Sequence, residues 1–461
     1  MHDALDLRDL VPDEAEQLAS AGYPVGDLQA RARLAAAAGD LTQLAGIEAE
    51  LAALHRDPDW PYEEPEPTLL TPATPGEATG ARASASTGDA AGALAPSSTG
   101  DAAGAFQVVE APSRAHSTPA LADKIRGAWL GRCVGNTMGK PVEGLSRADV
   151  RSYLEAAGDW PLTGFVPYVA TPPPGITLHP SAVDASAGRF TAVPRDDDLD
   201  WTMLGLHLLE TYGRELHTED VAREWLDRMP FTQTYTAERA AYRNLVHGLR
   251  SPDTATTRNP YREWIGALIR VDAYGYVSPG NPTEAARLAL IDASLSHTAN
   301  GLYGAQWAAA LVAQALVADT ITDALGTALT VIPPRSRLAD SQRALLDLHE
   351  QGCSSDDALD WIDETLPYNW VHTINNAAII TTALLWGGGD YVRTLALCVG
   401  AGRDTDSNGA TVGSVFGALH GAAAIPSELA TAGNGVVRSA VRGFDRITID
   451  ELADRTIALI G

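Results

Sequence analysis

Near the end of this chain, a carboxylate-rich loop leads directly into a stretch of very small residues. The loop, residues 402–409, contains Asp404, Asp406 and Ser407. Behind it, glycine recurs at every fourth position, at Gly409, Gly413, Gly417 and Gly421. Glycine inside a helix costs about 1 kcal/mol relative to alanine, and residues four apart share one helix face. The pattern therefore predicts a helix that another backbone approaches closely.

A second acidic cluster lies far upstream, where Asp196, Asp197 and Asp198 precede an apolar segment that begins at Leu199. One or two acids at a helix start are explained as a cap, because aspartate accepts the free backbone N–H groups. Three consecutive acids repel one another, and hard cations such as Mg²⁺ and Mn²⁺ take carboxylate and hydroxyl oxygens as ligands. The two clusters predict a divalent-metal site assembled by folding, with the candidate ligands Asp196, Asp197, Asp198, Asp404, Asp406 and Ser407.

The overall charge narrows the choice of partners. The chain has 59 Asp and Glu against 33 Lys and Arg, a formal net charge of −26. Such a surface repels phosphate backbones and anionic lipids, so we expect neither nucleic acid nor a membrane as a partner. The three cysteines form no zinc pattern or disulfide framework, and the start of the chain does not resemble a signal peptide. We expect a cytoplasmic protein.

Composition divides the chain into three regions. Residues 1–62 are predicted to form a small helical module, with a hairpin break at Gly39-Asp40. Residues 63–117 are rich in Ala, Gly, Ser, Thr and Pro and repeat one short segment at 86–93 and 98–105. Such a composition buries too little apolar surface to fold, which predicts a disordered linker.

Residues 118–461 are predicted to form one all-α domain, because Ala/Leu-rich windows alternate with Pro/Gly breaks. The helical windows are residues 123–134, 199–212, 219–227, 237–249, 282–292, 303–317, 341–350, 375–386 and 408–423.

Two further elements are weak signals when taken singly. A glycine-punctuated helix from Gly127 runs into a turn and ends at the isolated acid Glu143. A polar turn with His297 precedes a long apolar helix. An isolated acid is usually a surface group, and a lone histidine is more often a cap or a satisfied core residue than a ligand.

Together these elements resemble the ADP-ribosylglycohydrolase family. Its pattern has an opening G-x-x-x-G-x-x-x-G-D-x-x-G-x-P-x-E helix, a T-D-D-T loop, a Ser/Thr-His turn and a closing G-D-T-D-[ST]-N loop. The matching segments, in the same order, are residues 127–143, 196–199, 296–297 and 403–408. The resemblance covers roughly residues 120–425. Each motif alone is a weak signal, but the four motifs in this order are a specific one.

The resemblance implies an all-α fold around a binuclear Mg²⁺ or Mn²⁺ centre that binds the ribose hydroxyls of an ADP-ribosyl group. Asp197 and Asp198 match the paired aspartates of the first loop, and Asp404, Asp406 and Ser407 match the last loop. Glu143 matches the acid that ends the opening motif, which implies a proton-transfer role. The implied substrate is an ADP-ribosylated protein or an ADP-ribose-like small molecule.

Three positions depart from the family pattern. Asn136 replaces an aspartate, Asp196 replaces a threonine, and Arg403 replaces a glycine beside the metal loop, where a cation could bind phosphate or carboxylate. The acceptor therefore cannot be carried over from the family. We take as candidate substrate-binding residues Asn136, His297, Arg403 and Asn408.

Three functions are compatible with these residues. The first is metal-dependent hydrolysis of the glycosidic bond between ADP-ribose, or a related ribosyl group, and a protein or small-molecule acceptor. The second keeps the metal chemistry and acts on a nucleoside-like N-riboside. The third is a non-catalytic ADP-ribose-binding module, which the intact acids disfavour and the changes at Asn136 and Arg403 favour.

Overall fold

The computed structural model describes residues 5–64 and 118–460. The predicted linker, with its repeated segment, lies outside the described residues except for its first two positions. The described chain is predominantly helical, and its two short strands, β1 (Val436–Val437) and β2 (Ile447–Thr448), pair antiparallel. The all-α prediction is confirmed.

The N-terminal module consists of the helices α1 (Leu7–Ser20), α2 (Leu28–Ala38) and α3 (Leu41–Ala52). Helix α2 is followed by its C-cap Gly39, which adopts a left-handed φ of 67°. Asp40 then caps α3 by accepting a hydrogen bond from the backbone N–H of Gln43 at 2.9 Å. The predicted hairpin break at Gly39-Asp40 is confirmed.

The remaining helices belong to the large domain. They are α4 (Pro119–Gly139), α5 (Arg147–Ala157), α6 (Ala182–Ala185), α7 (Asp197–Tyr212), α8 (Thr218–Arg228), α9 (Thr236–Val246), α10 (Asp253–Thr256), α11 (Asp272–Tyr276), α12 (Pro282–Ala293), α13 (Ala299–Ala315), α14 (Ile321–Ala328), α15 (Arg337–Glu350), α16 (Ser355–Thr365), α17 (Thr373–Trp386), α18 (Tyr391–Gly400), α19 (Thr405–His420), α20 (Ser427–Ala430) and α21 (Ile449–Ile457). Short 3₁₀ turns include residues 140–142 and 265–270.

Helices α4 and α19 pack against each other through their glycines, in antiparallel directions. A Cβ built on Gly131 would overlap the carbonyl group of Gly413, and one on Gly135 would overlap that of Gly409. This contact confirms the close backbone approach predicted from the glycine spacing. It also places the end of α4 beside the start of α19, where the Thr405 hydroxyl donates to the carbonyl of Gly139 at 2.7 Å.

A buried arginine of α4 fixes the start of α7 at the same place. Arg132 is fully buried and donates to Asp272 Oδ2 at 2.8 Å and to the backbone carbonyl of Asp198 at 2.8 Å. A buried guanidinium needs such partners because an unpaired buried charge is strongly destabilising. Three chain segments therefore converge: the end of α4, the start of α7 and the start of α19.

The N-terminal module docks on the large domain through buried polar contacts. Glu14 of α1 pairs with Arg262 at 2.7 Å, and Gln17 donates to Glu263 at 2.7 Å. Glu64, in the predicted linker, is buried and pairs with Arg337 at 2.9 Å. The first residues of that segment are thus part of the contact between module and domain.

No helix among the described residues combines the length and the apolar character needed to cross a bilayer.

Candidate metal centre and active site

A cavity of about 700 Å³ opens where α4, α7 and α19 converge. Its polar end is formed by carboxylates from all three segments, and its walls include aromatic side chains of the surrounding loops. The lining residues used below are Lys140, Glu143, Arg195, Asp196, Asp197, Asp198, Tyr235, Glu238, Trp264, Trp370, Asp404, Asp406 and Ser407. The two acidic clusters of the sequence therefore lie in one cavity.

The carboxylates form two overlapping groups of three. One contains Glu143, Asp404 and Asp406, and the other contains Asp196, Asp198 and Asp406. Within each group, one oxygen per residue lies within 4.8 Å of the others. Asp406 belongs to both groups, so the two groups share one side of the cavity.

Asp197 lines the same cavity but belongs to neither carboxylate group, and Ser407 places a hydroxyl in the lining. Successive residues of a helix point about 100° apart, so consecutive aspartates at the start of α7 cannot all face one point. Asp198 faces Asp406, whereas the Asp197 side chain is partly exposed to solvent. As a metal ligand Asp197 stays a prediction that this arrangement does not support.

The aspartates preceding the two helices differ in their backbone contacts. Asp196 caps α7, because its Oδ1 accepts a hydrogen bond from the backbone N–H of Asp198 at 3.1 Å. Asp404 stands at the same position before α19 but makes no side-chain capping hydrogen bond. Its carboxylate instead interacts with the side chains of Asp406 and Ser407.

Burial and mutual repulsion perturb these acids. Burial, followed by the charges of neighbouring carboxylates, raises the pKa of Asp198 and of Asp404 well above the ordinary value. Asp198 Oδ1 is buried and has no hydrogen-bond partner among the described residues. A carboxylate oxygen in that situation is a fitting ligand for a hard cation, which would also neutralise the repulsion between the acids. The donor set fits Mg²⁺ or Mn²⁺.

A lysine lies among these acids. Lys140 Nζ is 2.5 Å from Asp196 Oδ2, 2.9 Å from Asp406 Oδ2 and 3.2 Å from Glu143 Oε2. Burial alone would lower the pKa of Lys140, but the charge of Asp196 and then those of Asp406 and Glu143 raise it well above its usual value. The same contact holds the pKa of Asp196 below the ordinary value, against the opposing effect of its burial.

Glu143 follows the 3₁₀ turn that contains Lys140. Burial, and then the negative charge of Asp406, raises the pKa of Glu143 to about 8. The Glu143 side chain is 22% exposed and lines the cavity. A carboxyl group with a pKa near neutrality is suited to proton transfer.

Of the predicted substrate-binding residues, Asn136 contacts an acid of the centre and Asn408 contacts a buried asparagine. Asn136 donates its amide N–H to Asp198 Oδ2 at 3.0 Å, so the residue that replaces the family aspartate orients a neighbouring acid. Asn408 donates to Asn376 Oδ1 at 2.8 Å. Both are buried, and their binding of substrate stays a prediction.

The other two lie away from the cavity lining. His297 is buried behind the wall, with Nε2 at 4.0 Å from Glu238 Oε1, and burial lowers its pKa well below the ordinary value. The Arg403 guanidinium pairs with Asp363 at 2.7 Å. The Arg403 backbone has a φ of 66°, in the left-handed region that favours glycine, which accounts for the glycine of the family pattern at this position.

Three cations of the site were not predicted from the sequence: Lys140, Arg132 and Arg195. Arg195 pairs with Asp200 Oδ2 at 2.7 Å and so withdraws that fourth acid from the centre. The sequence contained one signal for two of these cations. Lys140 lies within the motif that ends at Glu143, and Arg195 directly precedes Asp196. Basic residues at such positions indicate that part of the carboxylates' negative charge is neutralised by the protein itself. Their sequence position does not reveal with which acid each one pairs.

Comparisons with known proteins identify the family of this chain. An uncharacterized protein of Archaeoglobus fulgidus is 26% identical over 302 residues, which are 65% of this chain and 88% of that protein. A solved structure, described as an ADP-ribosylglycohydrolase-related protein complex, is 20% identical with a TM-score of 0.45, covering 74% of this chain and 99% of that one. The family model for ADP-ribosylglycohydrolase matches residues 117–460, well over half of the chain. The chain thus belongs to the ADP-ribosylglycohydrolase family.

Proposed function

We propose that this protein hydrolyses the glycosidic bond that joins ADP-ribose, or a closely related ribosyl group, to a protein or small-molecule acceptor. The observation that carries the proposal is the shared carboxylate Asp406, which joins two acidic groups at one end of a cavity in a chain of this family. Hydrolysis at a ribose carbon needs a fixed sugar, an activated water and a proton donor for the leaving group. The cavity offers groups for each requirement.

The carboxylates of Asp196, Asp198, Asp404 and Asp406, with the hydroxyl of Ser407, would hold Mg²⁺ or Mn²⁺. A divalent cation, when bound, supplies positive charge for the ribose hydroxyls and lowers the pKa of a water molecule. The buried oxygen of Asp198 without a hydrogen-bond partner supports this assignment.

Glu143 would transfer the proton. It belongs to the carboxylate group with Asp404 and Asp406, and it is more exposed than either of them. With a raised pKa it carries a proton near neutral pH, which it can donate to a departing acceptor. The same side chain, once ionised, can accept a proton from the attacking water.

The rest of the cavity suits the nucleotide part of the substrate. A volume of about 700 Å³ lies within the usual range for small-molecule sites. Tyr235, Trp264 and Trp370 line its walls, and aromatic faces stack on nucleobases. We assign the adenine to this aromatic side and the ribose to the carboxylates.

Calorimetric titration of ADP-ribose into metal-stripped protein, repeated with Mg²⁺ and with Mn²⁺, tests the proposal. Binding should require a metal, and Asp406→Asn should abolish it. Asp360→Asn is the matched control, because Asp360 is an exposed aspartate paired with Arg147, and it should bind as the native protein does. Metal-dependent binding that survives in Asp406→Asn would refute the assignment.

Turnover then separates the three candidate functions. Glu143→Gln should bind metal and ADP-ribose normally while hydrolysing ADP-ribosylated acceptors about 10²–10⁴ times more slowly, the usual contribution of general acid–base catalysis. Hydrolysis restricted to simple N-ribosides would favour the nucleoside-like alternative. Tight binding without any turnover would identify a binding module.

A further inference from the structure

We propose that the ammonium group of Lys140 takes the place of one divalent cation, so that this centre holds one Mg²⁺ or Mn²⁺ together with a built-in cation. The inference rests on the proposed function, because it concerns the same carboxylates. It differs from the binuclear centre implied by the family resemblance. It is carried by the position of Lys140 relative to the two carboxylate groups.

Lys140 contacts both groups at once. Its Nζ lies 2.9 Å from Asp406, the residue that the groups share, and it also contacts Asp196 of one group and Glu143 of the other. Two of the three carboxylates in each group therefore already face an ammonium. A divalent ion in either group would have to share these oxygens with a positive charge.

The closest partner of Lys140 is the acid that departs from the family pattern. Asp196 stands where the family has threonine, and its Oδ2 is the nearest carboxylate oxygen to Lys140, at 2.5 Å. The additional negative charge is thus matched by an additional positive charge in direct contact. This pairing explains how Asp196 is accommodated without a second metal ion.

Lys140 is held in this position by its surroundings. The residue is buried, with 8% of its surface exposed, and it begins the 3₁₀ turn directly after α4. The glycine contact between α4 and α19 fixes the root of this turn, since Gly139 lies against Thr405. The ammonium is therefore a structural part of the centre.

One carboxylate in each group is left to a metal ion. Asp198 and Asp404 make no contact with Lys140, and Asp198 keeps a buried oxygen without a partner among the described residues. Asp198, together with the shared Asp406 of the same group, can hold one hard cation completed by water. A second ion in the other group would have to share the Asp406 carboxylate with both the first ion and the ammonium of Lys140.

The test is the number of Mn²⁺ ions bound per chain, measured on the full-length protein by equilibrium dialysis and by electron paramagnetic resonance. The native protein should bind one ion and show a mononuclear signal. Lys140→Met should bind two ions and show the exchange-coupled signal of a Mn²⁺ pair. Lys124→Met is the matched control, because Lys124 donates to the backbone carbonyl of Leu316 in another part of the domain, and it should bind one ion.

A second variant guards against misfolding of the single substitution. Lys140→Gln, which keeps an uncharged polar side chain at this position, should also bind two ions. Two ions bound by the native protein, or one ion bound by both Lys140 variants, would overturn this inference and leave the proposed function standing. Failure of every protein to bind Mn²⁺ would refute both.

Discussion

The close contact between α4 and α19 can be tested by a glycine-to-alanine substitution. Tight packing and helix propensity predict changes of opposite sign in the free energy of unfolding. Gly413→Ala places a methyl group in the helix interior, where alanine is intrinsically favoured over glycine by about 1 kcal/mol. The same methyl group would overlap the backbone carbonyl of Gly131. Propensity predicts a more stable protein, whereas packing predicts a less stable one.

Packing should dominate because the obstructing atoms belong to a backbone. Overpacking a well-filled core costs typically about 1–3 kcal/mol, and the cost is lower when a flexible side chain can move aside. A carbonyl group in a helix has no rotamer to change, so we expect the upper part of that range, about 3 kcal/mol. After subtraction of the propensity gain of about 1 kcal/mol, Gly413→Ala should lose about 2 kcal/mol.

The matched control is Gly326→Ala in α14. An added Cβ at Gly326 meets no atom within 4 Å, so only propensity acts, and this variant should gain up to about 1 kcal/mol. Urea unfolding followed by circular dichroism measures both variants under the same conditions. Gly413→Ala should also bind Mn²⁺ more weakly, because separating α4 from α19 moves Glu143 away from Asp406. Shifts of equal sign in the two unfolding midpoints would refute the reasoning.

Two further predictions concern charge. The pKa of Glu143 is raised to about 8, and that of Asp404 is also raised, so the native protein binds protons that the unfolded chain releases. The metal-free protein should therefore lose stability as the pH rises from about 5 to 8. Urea midpoints in chelator should fall across this window, and a rising midpoint would contradict the burial of these acids. Arg337→Met should cost about 3–5 kcal/mol, because it leaves Glu64 buried without its cation. Arg335→Met, whose ion pair is exposed, should cost under about 1 kcal/mol, and equal costs would show that the module contact is not buried in solution.

The helices that could be predicted have either many apolar residues, such as α7 and α13, or a regular spacing of small residues, such as the glycines of α19. The amphipathic helices α5 and α16 were not predicted, because their apolar residues are few and lie on one narrow face. Their start signals were nevertheless present. Ser146 accepts a hydrogen bond from the Asp149 N–H, and Ser354 and Asp357 form a capping box. Capping patterns therefore identify short helices that composition alone does not.

The candidate site could be predicted as a set of acids but not as a geometry. The ordered motifs brought Glu143, Asp196, Asp404 and Asp406 to one centre, because a family pattern preserves which segments meet. Which acid within a consecutive run faces the centre depends on the rotation of the helix. The Asp200 carboxylate, one helical turn after Asp196, faces Arg195 and the Ser439 hydroxyl instead.

Asn136, Asp196 and Lys140 lie close to the carboxylates, and together they change the charge of the centre. Asn136 replaces an acid by a hydrogen-bond donor to Asp198, which makes the centre less negative by one unit. Asp196 adds one negative charge, and Lys140 adds one positive charge in contact with it. When a neutral residue at position 140 is taken as the reference, the three residues together make the centre more positive than the family pattern by one charge unit. A centre altered in this direction needs less cationic charge from solution, and the structure supplies part of that charge from its own chain.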